Sequence, residues 1–267
     1  MLYACQAPWW PEGCGPTNHL ATQSKASAQL RIGTSGWSYG DWGKSFYPSD
    51  ISQKDFLSFY SENFETVEIN NTFYHLPTER AVKNWHKVVE KNFIFSVKIS
   101  RYITHIKKLK CDKESIQFFI ERIKFLKKKL GCILIQLPPS FGLNEERLHD
   151  FFSMLPKKKR YSIEFRNESW FTKSTLELLR KFNIALCISD IKRYPLWLET
   201  TADFVYIRLH GSQKAYKGEY GSRGLKPWFK RIKEWSDKGL DVYCYFDNDE
   251  KGYAVADAKR LRHMIDK

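Results

Sequence analysis

In the stretch "YSIEFRNESW" (161–170), Glu164 and Arg166 stand two residues apart at the end of an otherwise apolar run. Alternate residues of a β-strand face the same side, so the two would share a face. A carboxylate there suits acid/base work, and a guanidinium suits a two-point grip on an anion. The same alternation isolates further polar groups. Glu68 and Asn70 alternate with Val67 and Ile69, Lys98 with Val97 and Ile99, and Gln136 with Ile135 and Leu137. Arg208 and His210 alternate with Ile207 and Leu209, Asp247 follows Phe246 with Asn248 after it, and Asp190 ends a sixth apolar run. Burying an ion costs several kcal/mol even after relaxation, so charges gathered from several strands mark a site rather than a core. The chemistry expected is proton transfer by Glu164 with Glu68 or Asp190, and anion binding by Lys98, Arg166 and Arg208. His105 and His210 would serve as proton shuttles.

Eight apolar strands must position these groups: 30–35, 66–70, 93–99, 132–137, 161–165, 184–189, 204–209 and 241–246. Helical patterns fall between them at 52–63, 78–90, 112–130, 144–154, 172–182, 225–238 and 252–265, with a short one at 195–201. Ser52, Thr78 and Asn144 read as helix N-caps, and Gly131 as the stop of the fourth-strand-side helix. Strands alternating with helices over this length predict an α/β fold, a (β/α)8 TIM-type barrel over residues 30–267. A doubly wound sheet is the alternative, but its Gly-rich dinucleotide fingerprint is missing. Residues 1–29 read as an irregular N-terminal extension, with Trp9 and Trp10 available to wrap over the domain. The polar set would then converge on the C-terminal mouth of the barrel, where this architecture places its chemistry.

Above that mouth the loops are rich in rings: Trp37, Tyr39, Trp42, Phe46 and Tyr47 in the first, then Phe73, Tyr74, Tyr194, Tyr216 and Tyr220. Rings over a charged floor suit a ring-bearing ligand, with Phe46 and Trp170 assigned to packing. The Gly-rich "YKGEYGSRG" (216–224) reads as a lid. The chain of 267 residues carries a formal net charge of +14, with lysine clusters at 107–110, 127–129 and 157–160. That charge invites an acidic partner, but the clusters are dispersed along the chain and read as solvated faces. A small anionic ligand is therefore favoured over nucleic acid. No run of about 18 apolar residues is present, so no membrane span is expected. Cys132, Cys187 and Cys244 sit in apolar runs as small hydrophobes, and Cys5 and Cys14 complete no zinc site. A reducing, cytoplasmic setting is the expectation. The residues imply no cofactor and give no signal for oligomeric state.

The stretches "IGTSGWSYGDWGKSFYP", "VEINNTFYHLP", "FSVKISRYITH", "LIQLPPSF", "IEFRNESW", "YIRLHG" and "VYCYFDND…GYAVADA" follow one another from residue 31 to about 262. With them the chain resembles the YecE-like family, domain of unknown function seventy-two, whose members look like TIM-type barrels. The resemblance places shared polar positions on Glu68, Asn70, Lys98, Thr104, His105, Gln136, Glu164, Arg166, Asp190, Arg208, His210 and Tyr220. It also shows two departures: Asp247 stands where the family usually has Asn, and Pro195 follows Asp190 at five residues rather than two. The family implies no settled activity. Two alternatives to acid/base chemistry on a small anion stay open. Glu164, Asp190, His210 and Asp247 would suit a divalent metal, as in sugar-isomerase and endonuclease barrels. The basic surface and loop rings would suit nucleic acid.

Overall fold

A computed structural model describes residues 28–267; Cys5, Cys14, Trp9 and Trp10 lie outside the described residues. Eight parallel strands pair in chain order and close on themselves: β1 (Leu30–Ser35), β2 (Thr66–Ile69), β3 (Ile94–Lys98), β4 (Leu130–Gln136), β5 (Arg160–Glu164), β6 (Ala185–Ser189), β7 (Phe204–Leu209) and β8 (Asp241–Phe246). The closing pair sets Leu30 opposite Val242 and Thr34 opposite Phe246. Around the cylinder run α1 (Phe56–Asn63), the one-turn α2 (Asn71–Tyr74), α3 (Glu79–Val88), α4 (Lys113–Ile123), α5 (Glu145–Met154), α6 (Lys173–Phe182), α7 (Gly221–Asp237) and α8 (Tyr253–Ile265). The TIM-type barrel read from the sequence is the observed fold. No helix of the described residues is long and apolar enough to cross a membrane.

Two apolar layers follow from strand alternation. Val67, Ile69, Val97, Ile135, Ile163, Ile207 and Val242 face the helices and are fully buried there. The lower interior is filled by Cys132, Leu134, Ala185, Cys187, Phe204, Tyr206, Tyr243 and Tyr245. Tyrosines inside a barrel need partners, and they have them: Tyr245 Oη lies 2.7 Å from Thr66 Oγ1 and 2.8 Å from Ser96 Oγ. Space for the Tyr243 ring comes from Gly131, where a Cβ would lie 3.0 Å from it, and the β1–β2 contact is closer still. A Cβ on Gly33 would lie 2.2 Å from the carbonyl oxygen of Thr66.

Several expected elements differ. The short helix at 195–201 is absent; the β6–β7 connection is irregular, and Trp197 packs edge-on against Phe171 at 5.2 Å. So short a segment could not recover the cost of nucleating a helix, whereas docking one ring fixes it directly. The helix expected over 112–130 ends at Ile123 and continues as a 3-10 turn to Lys129, broken at Lys127. Gly131 is therefore not a helix stop but the second residue of β4. Ser52 caps nothing with its side chain, because a 3-10 turn (Gln53–Asp55) intervenes before α1. Thr78 and Asn144 do cap, accepting from Ala81 N at 3.2 Å and Arg147 N at 2.9 Å. The helix expected from 225 begins at Gly221, so half of the Gly-rich lid stretch is its first turn.

Gly33→Ala should lower stability by about 3 kcal/mol through overpacking against the β2 backbone, a melting-temperature loss of about 6–10 °C. Gly43→Ala, whose Cβ would meet nothing within 4 Å, should leave the thermal melt unchanged.

Candidate active site at the barrel mouth

Arg208 stands at the centre of the C-terminal mouth, delivered inward from β7 with Tyr206 below it and His210 above. Only 1% of it is exposed. Its Nε donates to both oxygens of Glu68 at 3.1 Å, and Nη1 donates to Glu164 at 2.8 Å. Nη2 donates to Asp247 at 2.8 Å, Glu68 at 2.9 Å and Ser35 Oγ at 3.1 Å. Nη1 also reaches His210 Nε2 at 3.2 Å. All five guanidinium donors are thus engaged by protein atoms. Register explains the convergence: Ser35 sits beside Glu68, Gln136 beside Glu164, and Ser189 beside Arg208 across their strand pairs.

Its two glutamate partners are held ionised. Burial works to raise the Glu164 carboxyl, but Arg166 and Arg208 outweigh it and hold the group far below the usual range. Glu68 is likewise lowered against its burial, by Arg208 and by hydrogen bonds from Ser35 and Tyr206. Asp190 is spent on positioning: one oxygen accepts the His210 N–H at 2.7 Å and the other accepts the Tyr220 hydroxyl. Tyr220 also receives the Gly211 N–H at 2.8 Å. His210 presents Nε2 to two guanidiniums, Arg208 and Arg166, at 3.2 and 3.3 Å. Guanidiniums only donate, so Nε2 is the acceptor and the ring proton sits on Nδ1, 3.3 Å from Ser189 Oγ.

Other groups keep unused bonding capacity. Arg166, 12% exposed at its side chain, donates to Glu164 at 2.8 Å through Nε and to Tyr216 Oη at 2.8 Å through Nη1. One N–H on each terminal nitrogen is left over. Lys98 donates to Gln136 Oε1 at 2.6 Å and lies 4.3 Å from the centre of the Phe73 ring. Burial, with Arg208 beside it, pulls Lys98 down to about 8. His105 is bonded to Thr104 at 2.9 Å and stacked edge-on to Phe73 at 4.8 Å. Burial and the nearby Lys98 lower it to about 4, so it is neutral.

Beside this cluster opens a cleft of about 270 Å³, lined by Trp37, Tyr39, Asn70, Asn71 and Tyr74 among others. Tyr74 is 69% exposed, and Trp37 is braced edge-on by Trp85 at 5.8 Å. Asn70 donates to Ser35 Oγ, while its buried Oδ1 has no partner among the described residues. Behind Tyr39 lies Asp249, whose buried Oδ1 is also unpartnered among the described residues. Burial and the neighbouring Asp247 push the Asp249 carboxyl up to about 9, with Tyr39 hydrogen-bonded to it. It therefore carries a proton at neutral pH.

The structure thus gathers Glu68, Asn70, Lys98, Gln136, Glu164, Arg166, Asp190, Arg208, His210, Asp247 and Tyr39 at one mouth, with Trp37, Tyr74, His105 and Tyr220 around it. Asn248 turns elsewhere, donating to Gly218 O at 2.9 Å and Asp257 at 3.0 Å. Trp42 and Tyr47 are buried, and with Phe46 they form packing beneath the first loop. Two contributors escaped the sequence reading. Asp249 continues the alternation of Asp247 past the strand end, so that signal was available. Ser35 likewise ends β1 on the inward parity. Tyr216, expected among the rings over the mouth, is there, held at φ +67 in a turn with its hydroxyl on Arg166.

The four residues weighed as a metal set do not fit one. Arg166 and Arg208 donate to the same carboxylate and imidazole atoms a cation would need, and no metal-competent cluster occurs among the described residues.

The profile of the family described as Protein of unknown function DUF72 matches residues 31–267. The chain belongs to this family. Among DUF72 relatives, the UPF0759 protein YunF of Bacillus subtilis is 25% identical over 274 residues, covering 89% of this chain and 95% of that protein. The UPF0759 protein YecE of Escherichia coli K12 is 30% identical over 149 residues, 55% of this chain and 52% of its own length. A DUF72 crystal structure from Thermotoga maritima superposes with a TM-score of 0.82 at 29% identity, covering 90% of this chain and 100% of that one.

Arg208→Met in this DUF72 barrel should cost about 3–5 kcal/mol, because three carboxylates lose their counter-charge in a dry interior. Denaturant titration would measure it, and adding Glu68→Gln to the variant should recover part of the loss. A second expectation concerns Asp249. Its folded value lies above the unfolded one, so the folded state binds the extra proton, and the stability this gives falls as pH rises from about 4 toward 9. Asp249→Asn removes that dependence. Its melting temperature should gain on the parent by about 4 °C between pH 5 and pH 8, roughly 2 kcal/mol after discounting for solvent.

Proposed function

We propose that this protein is an enzyme that performs acid/base chemistry on a small hydroxylated anion, carboxylated or phosphorylated, at the C-terminal mouth of the barrel. One observation carries the reading. Two carboxyl groups of the same mouth are driven to opposite states, Glu164 held as a carboxylate and Asp249 kept protonated up to about pH 9. Environments that split acids in this way are how a site assigns proton roles.

The roles then differ from those expected of the sequence. Glu164 and Glu68, locked to guanidiniums, act as fixed charges that orient Arg166 and Arg208. Asp249, through or beside Tyr39, is the proton donor. Lys98, lowered to about 8, is close enough to neutrality to accept one. Arg166 and Lys98 retain free donors for the anion, Arg208 having none to spare. The unpartnered Asn70 Oδ1 needs a hydrogen-bond donor, which a ligand hydroxyl supplies. Trp37, Tyr39 and Tyr74 give apolar faces for the carbon skeleton.

The test is a thermal-shift screen of aldonates, uronates and sugar phosphates against the full chain. A true ligand at about a hundredfold its Kd should stabilise the parent by about 2.7 kcal/mol. Arg166→Met and Asn70→Ala should each remove most of that shift, and Asp249→Asn should keep binding while abolishing turnover. Equal stabilisation of parent and Arg166→Met by every compound would rule the reading out.

A further inference from the structure

The opposite end of the barrel carries a different concentration of charge. Two lysine runs about thirty residues apart in sequence, 127–129 and 157–159, meet at the N-terminal mouth. They edge a hollow of about 370 Å³, where Lys127, Lys128, Lys158, Lys159 and Arg160 contribute to the lining and none of the lining residues is acidic. The sequence reading took these runs as dispersed solvated faces; pairing β4 with β5 in register, Cys132 opposite Arg160, brings them together.

The bland role for such lysines is to neutralise helix C-termini, which point to this end of a barrel. Lys129 does that work. Its Nζ donates to the carbonyls of His86 and Val89, each at 2.7 Å, at the end of α3. Arg160 is spent as well, on Asp241 at 2.6 Å and Tyr243 Oη at 3.2 Å. Lys127, Lys128, Lys158 and Lys159 are different: among the described residues their side chains have no hydrogen bond or ion pair. Lys127 also holds φ 51° and ψ −125°, a region that favours glycine, at the rim of this hollow. Non-glycine residues in such conformations gather at ligand sites. The floor is kept open by Gly131, where a Cβ would lie 2.4 Å from Ile94 Cγ2 and 3.0 Å from the Tyr243 ring. The field extends to the rim, since Lys129 and Lys127 help burial push His86 down.

We propose that this hollow is a second binding site, taking a ligand that carries several phosphates in a row. Four unpaired ammonium groups around one small hollow exceed what a single carboxylate would neutralise. Lysine binds phosphate as a flexible point charge. The phosphates could belong to a free polyphosphorylated molecule or to a nucleic-acid strand, and the probes separate the two.

Sodium triphosphate is titrated calorimetrically, and a labelled short oligothymidylate by fluorescence anisotropy, against the full chain at about 50 mM salt. Saturable one-to-one binding of either probe is expected. Lys127→Glu/Lys158→Glu should weaken it by about tenfold and flatten its salt dependence. A control of equal charge change on exposed helical residues, Lys54→Glu/Lys226→Glu, should weaken it less than about twofold. Triphosphate binding with this pattern identifies free phosphates as the ligand chemistry. Binding of the oligomer alone with this pattern identifies a strand. Equal losses in the two variants would reduce the effect to net charge and overturn the proposal. So would failure of both probes to bind.

Discussion

A fully buried guanidinium cannot exist without nearby anions, and Arg208 draws its anions from β2, β5 and β8. The organisation of the upper barrel follows from that requirement. Glu68 must point inward to meet Nε, so Ser35 and Tyr206 are drawn to its oxygens at 2.6 and 2.7 Å. Glu164 must meet Nη1, and its second oxygen then orients Arg166. Each partner is fixed by another, so the arrangement is geometric as much as energetic. Buried ion networks contribute little net stability compared with well-packed apolar residues. What this one supplies is a rigid charged floor whose members have few alternative positions.

The mouth is asymmetric. On the β5–β8 side the donors of Arg208 are all consumed, Arg166 keeps only one N–H on each terminal nitrogen, and His210 has its tautomer set by two cations. On the β1–β3 side lie the unfilled positions: Asn70 Oδ1, Asp249 Oδ1, the spare donors of Lys98, and the aromatic cleft. A floor locked on one side and open on the other leaves the unsatisfied polar groups in one quadrant of the mouth. It also separates the glutamates held ionised by guanidiniums from Lys98 and Asp249, whose charged forms are disfavoured by burial.

Much of this was legible in the sequence because strand alternation is a strict rule. Knowing that Ile163 and Phe165 face helices was enough to turn Glu164 and Arg166 inward, and the same held for Glu68, Lys98, Arg208 and His210. Asp249 lies past the strand end, where its parity with Asp247 points inward only if the alternation is carried beyond Phe246. Alternation says nothing of which charges will saturate one another, so Arg208 read as a ligand contact when its donors are all engaged. Helix boundaries were less secure. Lys124–Lys129 keeps a helical pattern of residues yet tightens and breaks, since Gly131 must already belong to β4. The meeting of 127–129 with 157–159 was invisible for a different reason: it depends on strand pairing, not on proximity in the chain.

Asp257, on α8, accepts the backbone N–H groups of Tyr220 and Gly221 at 2.9 and 3.1 Å and the amide of Asn248 at 3.0 Å. One carboxylate thereby ties the start of α7 to the residue after Asp247, and that Asn248 amide in turn holds the Gly218 carbonyl of the β7–α7 turn at 2.9 Å. Swinging that turn aside would strip the Gly218, Tyr220 and Gly221 attachments together. The turn behaves as masonry and not as a door, and the open flank of the mouth is the one edged by Trp37 and Tyr74.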